Sequence, residues 1–342
     1  MKDYQIVEYI WIEGFGAVRG KTRVLTKTVS KVSDLPVWSF DGSSTGQATG
    51  CDSDVFLAPR RIYKDPFRGD NHIVVLCECF VDSELTQPHE SNKRYHLNEI
   101  VQKTLNEEPW FGVEQEYVLY DVKSGLPYGW KSEENPGAGP QGPYYCSAGG
   151  DRAFGREIVE AHMMACLAAG VHYYGANAEV MPSQWEFQVG TSDPLTISDD
   201  LWMARYLLAR ISEKYGVYVN YHPKPRQGDW NGSGGHVNVS TAAMRNDGGL
   251  AYIEEALARM EKTHTEDLKF FGEFNELRLT GHHETSSMDS FSWGIGNRGR
   301  SARINKQVVS SGKGYFEDRR PSSNLDPYRV FERILKAITT TD

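Results

Sequence analysis

The sequence lacks several features that would place it among membrane or secreted proteins. No segment approaches the uninterrupted apolar length that spans a bilayer, and the first ten residues carry Lys2, Asp3 and Glu8 in place of an apolar signal core. The chain also has no internal repeat and no low-complexity block. We therefore expect a cytoplasmic protein without a membrane partner.

The sequence also lacks an excess of basic residues and a Cys-x-x-Cys pair. The formal net charge is −9 at pH 7, which argues against nucleic acid as a partner. The five cysteines form no Cys-x-x-Cys motif, so we expect reduced, buried thiols rather than a disulfide framework or a zinc site. Cys77 and Cys79 stand two apart in an apolar run, and this spacing predicts that they share one face of a strand.

A phosphate-binding P-loop is missing too. Gly20-Lys21-Thr22 would need a glycine at position 15, which is Phe15, and Gly312-Lys313 lacks the serine or threonine that should follow. Any nucleotide must then be held by metal ions and arginines.

The chain nevertheless has the length and patterning of an ordinary globular protein. Its 342 residues can bury a sizeable core and form two domains. Runs rich in β-branched or apolar residues predict strands at 5–12, 18–28 and 73–81, around an exposed loop at 40–50. The Gly-, Pro- and Tyr-rich segment 123–150 predicts a long functional loop.

The second part of the chain alternates between strand and helix patterns. Further strands are predicted at 110–120, 172–178, 186–189, 217–221 and 237–240. Helices are predicted at 92–105 after Ser91, at 151–169 after Asp151, from Ser198 to Gly216, at 250–271, and after Asp326. Because some loops are too short for parallel crossovers, we predict an α+β fold with an antiparallel sheet backed by helices.

Two glutamates in one apolar strand are the first candidate site. Glu114 and Glu116 alternate in the strand, so their carboxylates point the same way, about 7 Å apart. A cation beside them would remove their repulsion. The alternative is an edge strand with a solvated acidic face, which the flanking aromatic residues disfavour.

Other carboxylates and a histidine add to this site. Glu179 and Glu186 bracket Pro182, which breaks the strand and lets the chain bring both back to one place. His236 follows a run of small residues that permits close approach of a ligand; alone, it could equally be a structural histidine. Asp41-Gly42-Ser43-Ser44, taken alone, is a turn.

Arginines cluster late in the chain, at Arg278, Arg298, Arg303, Arg319 and Arg320. Carboxylates bind Mg²⁺ or Mn²⁺, and arginines bind phosphate oxygens. Both sets in one chain indicate metal-assisted phosphoryl chemistry.

In order along the chain, these segments resemble glutamine synthetase of the short type II form. The motifs that carry the resemblance are Trp38-Ser39-Phe40-Asp41-Gly42-Ser43-Ser44, Trp110-Phe111-Gly112-Val113-Glu114-Gln115-Glu116, Gly142-Pro143-Tyr144-Tyr145, Asn177-Ala178-Glu179 through Glu186, Asn231-Gly232-Ser233-Gly234-Gly235-His236, Leu279 through Ser286, and Tyr315-Phe316-Glu317-Asp318-Arg319-Arg320-Pro321. The resemblance spans nearly the whole chain.

The resemblance implies ATP-dependent ligation of glutamate and ammonia to glutamine through a γ-glutamyl phosphate. It also implies a small N-terminal β-grasp-like domain, residues 1–85, and a larger catalytic domain, residues 86–342, with a curved antiparallel sheet. Active sites would lie between neighbouring subunits of a homo-oligomer, expected to be a decamer.

The resemblance further implies a role for each candidate residue. Two Mg²⁺ or Mn²⁺ ions are expected, one held by Glu116, Glu179 and Glu186, the other by Glu114, His236 and Glu317. Arg298, which would be catalytic, Arg303 and Arg319 would neutralise the transferring phosphoryl group and the nucleotide phosphates. Arg278, Asn231 and Gly232 would bind glutamate, Asp41 and Ser44 ammonium, and Glu284 would close a flap over the intermediate.

Two alternatives stay open at this point. A ligase of the same fold that uses another amine is disfavoured by the intact Asp41 and Ser44. A catalytically inactive structural relative would be expected to have lost metal ligands, and none is lost.

Overall fold

The computed structural model describes residues 4–69, 71–132 and 143–339. Gly142 of the Gly142-Pro143-Tyr144-Tyr145 motif, residues 133–142 of the predicted loop at 123–150, and the outermost residues of both proposed domains lie outside these ranges. Within the described residues, no helix is long and apolar enough to cross a membrane.

A five-stranded sheet forms the N-terminal part of the molecule. Its strands are β1 Gln5–Ile12, β2 Val18–Leu25, β3 Trp38–Asp41, β4 Asp54–Lys64 and β5 Ile73–Phe80. They lie in the order β2-β1-β5-β4-β3, with β1 and β5 parallel and the other neighbours antiparallel. As predicted, every residue of β5 is buried, and Cys77 and Cys79 pack in one apolar cluster.

Strand β4 is absent from the prediction. Its apolar pattern is interrupted by Pro59, where the pairing with β5 shifts register in a bulge. The loop at 40–50 is also less exposed than predicted. Its residues 42–45 form a short 3-10 turn in which Gly42 and Thr45 are buried.

An eight-stranded sheet forms the larger part of the molecule. Its strands are β6 Trp110–Asp121, β7 Tyr173–Ala178, β8 Gln184–Ser192, β9 Val217–Asn220, β10 Gly235–Ser240, β11 Trp293–Ile295, β12 Ala302–Ile304 and β13 Phe316–Asp318. The order is β11-β12-β13-β10-β6-β8-β7, and β9 pairs with the far end of β6. All pairs are antiparallel except β11 with β12.

Helices cover this second sheet. They are α1 Lys93–Lys103, α2 Arg156–Ala169, α3 Pro194–Tyr215, α4 Ala242–Arg245, α5 Gly249–Leu268, α6 Lys306–Ser311 and α7 Pro327–Ile338. Strands and helices share one apolar core, which also includes Ile10, Val74 and Leu76 of the first sheet. The predicted α+β class is confirmed.

Three predicted helix starts were wrong. Asn92 rather than Ser91 caps α1, because its side chain accepts from the backbone N–H of Tyr95. Helix α2 begins after Gly155 rather than Asp151. Helix α3 begins after Asp193, so that Ser198 lies inside the helix and is buried. In each case a second residue suited to capping stands within five positions of the true cap, which made the choice ambiguous.

Candidate active site

The register of three neighbouring strands assembles the acidic cluster. In the pairing of β6 with β10, His236 lies opposite Glu114. In the pairing of β6 with β8, Glu186 lies opposite Glu116. Because side chains alternate along a strand, Glu114 and Glu116 reach the same face of the sheet as these partners.

The first group contains Glu116, Glu179 and Glu186. Each offers one carboxylate oxygen, and these atoms lie within 4.8 Å of one another. The turn after β7 returns the chain as expected: the backbone N–H of Glu179 donates to the carbonyl of Gln184 over 2.8 Å. The structure therefore brings together all the ligands predicted for one ion.

The second predicted group, Glu114, His236 and Glu317, also lies together, and Glu186 is close to it. Ligand atoms of Glu114, Glu186 and His236 lie within 4.8 Å of one another. Glu317 is beside them, 3.6 Å from Nδ1 of His236, whereas Glu114 is 3.4 Å from the same atom. Glu186 is thus shared between the two groups.

Glu317 lies between two arginines. It accepts from Nε of Arg303 over 2.5 Å and from Nη1 of Arg319 over 2.6 Å. Its strand, β13, pairs with β10, where Glu317 lies opposite Asn238. The positive charge of the late arginines therefore enters the cluster at this carboxylate.

Burial shifts the pKa of the three carboxylates of the first group. Burial raises the pKa of Glu116 to about 6 and that of Glu179 to about 8, and in Glu179 the negative charges of Glu116 and Glu284 add to the rise. Burial, together with the charge of Glu114, raises the pKa of Glu186 as well. The pKa of His236 is lowered by burial and by Arg319, so the imidazole is neutral, as a metal ligand must be.

The glycine-rich segment before His236 gives the site its close packing. A Cβ on Gly234 would lie 2.6 Å from both Nη2 of Arg278 and Nε2 of His236. A Cβ on Gly232 would lie 2.7 Å from the carbonyl of Pro223 and 2.8 Å from Cγ of Arg278. Only glycine fits where this backbone passes between the two side chains.

The predicted glutamate-binding residues lie next to the first group. Arg278 is buried, and its Nη2 is 3.1 Å from Nε2 of His236. The carbonyl of Gly232 accepts from Nε2 of Gln184 over 2.9 Å, and the same nitrogen is 3.3 Å from a carboxylate oxygen of Glu116. Asn231 is buried in the same segment.

Arg319 connects the cluster to two further segments. Besides its bond to Glu317, its Nε donates to the carbonyl of Arg298 over 3.1 Å and its Nη2 to the carbonyl of Glu284 over 3.2 Å. The side chain of Arg298 itself is exposed. The arginines predicted to bind phosphate therefore lie at the rim of the cluster.

Asp41 and Ser44 are not part of this constellation within one chain. Asp41 is exposed at the end of β3, the edge strand of the first sheet, and its carboxylate accepts from the side chains of Ser43 and Ser44. Hydrogen bonds from Ser43 and then Ser44 hold the pKa of Asp41 below its usual range. Asp41 is thus charged and open to a partner.

The chain is similar in sequence to known proteins of one family. Residues 3–82 match the family described as glutamine synthetase, beta-Grasp domain, and residues 90–263 match glutamine synthetase, catalytic domain. The glutamine synthetase of Amanita muscaria is 53% identical over 323 residues, which cover 94% of this chain and 90% of that protein. The chain belongs to the glutamine synthetase family.

Two other relatives give the same result. The glutamine synthetases of Candida glabrata and Tuber borchii are 52% and 51% identical and span 95% and 97% of this chain. The matched segments cover 86% and 92% of those proteins. The predicted β-grasp-like N-terminal domain is confirmed by the family match, and the chain is an enzyme of the glutamine synthetase family.

The structure also contains a cavity that was not predicted from the sequence. A cavity of about 460 Å³ opens beside Glu114 and is lined by Trp110, Arg245 and Tyr315, among others. The guanidinium of Arg245 lies 3.8 Å from the centre of the Trp110 ring. Trp110 and Tyr315 belong to the recognised motifs, but only the fold shows that they face one space.

The amides that orient the carboxylates were missed as well. Asn238 donates to Glu114 over 2.9 Å, Gln188 to Glu186 over 2.7 Å, and Asn177 to Glu179 over 3.0 Å. Each stands two residues from a predicted ligand on the same strand face or turn, a spacing that could have identified it. These bonds fix the carboxylates in place for a cation.

Proposed function

We propose that the acidic cluster between β6, β8 and β10 joins L-glutamate and ammonia to give L-glutamine, with ATP converted to ADP and phosphate. The observation that carries this proposal is the convergence of Glu116, Glu179 and Glu186 within 4.8 Å. In the described part of the chain, no lysine or arginine forms an ion pair with Glu179 or Glu186. Such a set of buried carboxylates suits hard divalent cations.

Two Mg²⁺ or Mn²⁺ ions fit these donors. Glu116, Glu179 and Glu186 would hold one, and Glu114, His236 and Glu317 the other, with Glu186 close enough to serve both. The ions would supply charge neutralisation for phosphoryl transfer. The amide partners of the carboxylates support this assignment because they orient oxygen atoms without neutralising them.

The nucleotide base would occupy the cavity beside Glu114. Trp110 and Tyr315 offer aromatic surfaces, and the guanidinium of Arg245 is already stacked on Trp110, an arrangement that suits a planar ring. With the base there, the phosphates would reach past Glu114 toward the cluster. Arg298 and Arg303, at the rim, would bind the nucleotide phosphates.

Glutamate would bind on the opposite side of the cluster. Arg278 would hold its α-carboxylate, and Asn231 and Gly232 would contact the rest of the main chain. Arg319 would then neutralise the phosphoryl group as it moves from ATP to an oxygen of the glutamate side chain, with ADP as the leaving group. Arg278 and Arg319 both lie within hydrogen-bonding distance of cluster residues, which supports this placement.

Ammonia would then displace phosphate. Asp41 would attract ammonium, with Ser44 beside it, and take one proton so that nitrogen has a free lone pair. The nitrogen forms a bond to the carbonyl carbon, the bond from that carbon to the phosphate oxygen breaks, and the departing phosphate takes up a further proton. Glu284, in a flap over the site, would keep water from competing.

The site would be completed by a second copy of the chain. Asp41 is exposed on an edge strand of the first sheet, whereas the cluster lies in the second sheet. We therefore propose a homo-oligomer, a decamer, in which Asp41 of one subunit serves the cluster of its neighbour. Residues 1–85 and 86–342 would be the two domains. The five cysteines are free thiols, which fits a cytoplasmic location.

The activity is tested by measuring ADP and glutamine in one reaction. With glutamate, ATP and Mg²⁺ or Mn²⁺, we expect equal amounts of both products when ammonium is present and only slow ADP release without it. Glutamine formation with no requirement for ammonium, or with a bulky amine preferred over ammonium, contradicts the proposal.

The shared site is tested by mixing two inactive variants. Asp41→Asn and Glu186→Gln are co-expressed with distinguishable tags, and mixed oligomers are isolated. If Asp41 acts on the neighbouring cluster, about a quarter of the sites in a random mixture regain both residues. Mixed oligomers no more active than either parent, or a fully active monomer in sedimentation, contradict the shared site.

A further inference from the structure

The flap, residues 280–287, has an unfavourable backbone at its tip. His283 and Glu284 have φ values of 53° and 61°, in the left-handed region that residues with a Cβ rarely adopt. The base of the flap is closed by pairing between Thr280 and Ser287. The tip therefore needs contacts from outside the flap to keep its conformation.

Two such contacts reach the tip from different sides. Arg319 donates to the carbonyl of Glu284 over 3.2 Å. On the other side, Nε2 of His283 lies 3.1 Å from a carboxylate oxygen of Asp229. The first contact belongs to the proposed phosphoryl machinery, whereas the second has no role in the chemistry described above.

Asp229 stands at the outer end of the loop that carries the proposed glutamate contacts. Asn231 and Gly232 stand two and three residues after it in the sequence, and Gly232 is tied to the cluster through Gln184. Asp229 and His283 also line one cavity of about 590 Å³ together with Gly232 and Arg278. The contact between Asp229 and His283 therefore links this loop to the flap.

We propose that Asp229 is a positioning residue, and that its contact with His283 latches the flap to the glutamate-binding loop. The inference rests on the proposed function. Glutamate bound at Arg278 and Gly232 would steady the loop, and Asp229 would then hold Glu284 over the acyl phosphate. Without the latch, water reaches the intermediate more often, and hydrolysis returns glutamate and phosphate while ADP has already been released.

The test compares ADP with glutamine for Asp229→Ala, His283→Ala and the double variant. Asp229 is 77% exposed and His283 25%, so an effect of modest size is expected. The ratio of ADP to glutamine should rise about two- to fivefold in each single variant, as the loss of one exposed pair permits. Because both changes remove the same contact, the double variant should show much less than the product of the two effects.

Matched variants separate a latch from a general loss of stability. Glu266→Ala removes a comparable exposed pair, with Lys269 at the end of α5, and should leave the ratio at the wild-type value. Asp229→Asn keeps an oxygen acceptor for His283 and should restore most of the coupling. Glu266→Ala and Asp229→Asn should each have the same melting temperature as Asp229→Ala.

Each outcome bears on one of the two proposals. A wild-type enzyme that forms no glutamine overturns the proposed function. A wild-type enzyme with equal ADP and glutamine, together with single variants that keep this ratio, overturns the latch alone. Multiplicative effects in the double variant also overturn it, because His283 and Asp229 would then act separately.

Discussion

Buried carboxylates occur in both sheets, but their surroundings differ. In the five-stranded sheet, each forms an ion pair with an arginine. Glu8 pairs with Arg68 over 2.8 Å, and Glu78 pairs with Arg60 over 2.8 Å and with Arg94 over 3.0 Å. These carboxylates are neutralised within the fold and hold strands and helices together.

In the eight-stranded sheet, the carboxylates of the first group face one another instead. Burial raises the pKa of Glu116, Glu179 and Glu186, and in Glu116 the charges of Arg278 and Arg319 offset only part of this rise. The fold therefore carries a cost there that only a cation or a proton removes. The carboxylates proposed to hold the first ion therefore differ from those of the five-stranded sheet in having no arginine ion pair among the described residues. Glu317, proposed for the second ion, does pair with Arg303 and Arg319.

The largest effects are expected when one carboxylate in each sheet is replaced by its amide. Glu186→Gln should lower glutamine formation by more than about 100-fold, the upper range for loss of a partner behind a metal ligand. It should not destabilise the metal-free protein, because repulsion within the cluster is relieved. Steady-state assays and thermal unfolding in chelator measure the two effects.

Glu78→Gln is the matching change in the first sheet. It leaves Arg60 and Arg94 facing an uncharged amide and should lower the free energy of unfolding by about 3 kcal/mol, the lower end for breaking a buried pair, since Arg60 is 34% exposed. If Glu186→Gln destabilises the metal-free protein as much as Glu78→Gln does, the distinction between the two sheets is wrong.

Asp41 differs from the buried, arginine-paired carboxylates of the first sheet. Among the described residues no arginine forms an ion pair with Asp41, and its side chain is exposed, as expected if it has the proposed role. Asp41→Asn should lower glutamine formation by about 100-fold, the lower range for loss of a general base, while slow glutamate-dependent ADP release persists.

Arg298→Ala is the control for Asp41→Asn. It should suppress phosphoryl transfer itself and lower ADP and glutamine together. Both products are measured in the same reaction. If Asp41→Asn lowers ADP and glutamine in the same proportion, as Arg298→Ala is expected to do, Asp41 does not act after phosphoryl transfer.

The smallest effect concerns pH and metal. The pKa values of about 6 for Glu116 and about 8 for Glu179 lie above the ordinary carboxylate value of 4.5. The metal-free folded state therefore binds more protons than the unfolded state between about pH 4.5 and 8, and its free energy of unfolding falls as pH rises through this window. A bound divalent ion cancels this fall.

The melting temperature should consequently rise more on adding Mn²⁺ at pH 8 than at pH 6. Calorimetry with saturating metal and with chelator at both pH values measures the difference. Glu186→Gln should reduce the gain at both. A gain that is equal at pH 6 and pH 8 in the unmodified protein contradicts the assignment of the raised pKa values to the metal site.

Local pattern was sufficient for several parts of the site. Alternation along β6 predicted that Glu114 and Glu116 share a face, and Pro182 predicted the turn that returns Glu186 toward Glu179. Both depend only on neighbouring residues, whose geometry is set by strand period and proline stereochemistry. Strand β4 and the true starts of α2 and α3 were missed, because a bulge and competing cap residues make the local signal ambiguous.

The residue types alone indicated the chemical type of the site: hard oxygen and imidazole ligands, arginines for phosphate, and motifs shared with one family. Which ligands lie together depends on the tertiary structure. The pairing of β6 with β8 and β10 places Glu186 opposite Glu116 and His236 opposite Glu114, and it brings Trp110, Arg245 and Tyr315 to one cavity. Strand register depends on contacts between residues far apart in the chain, and a shift by one residue would turn every ligand to the other face.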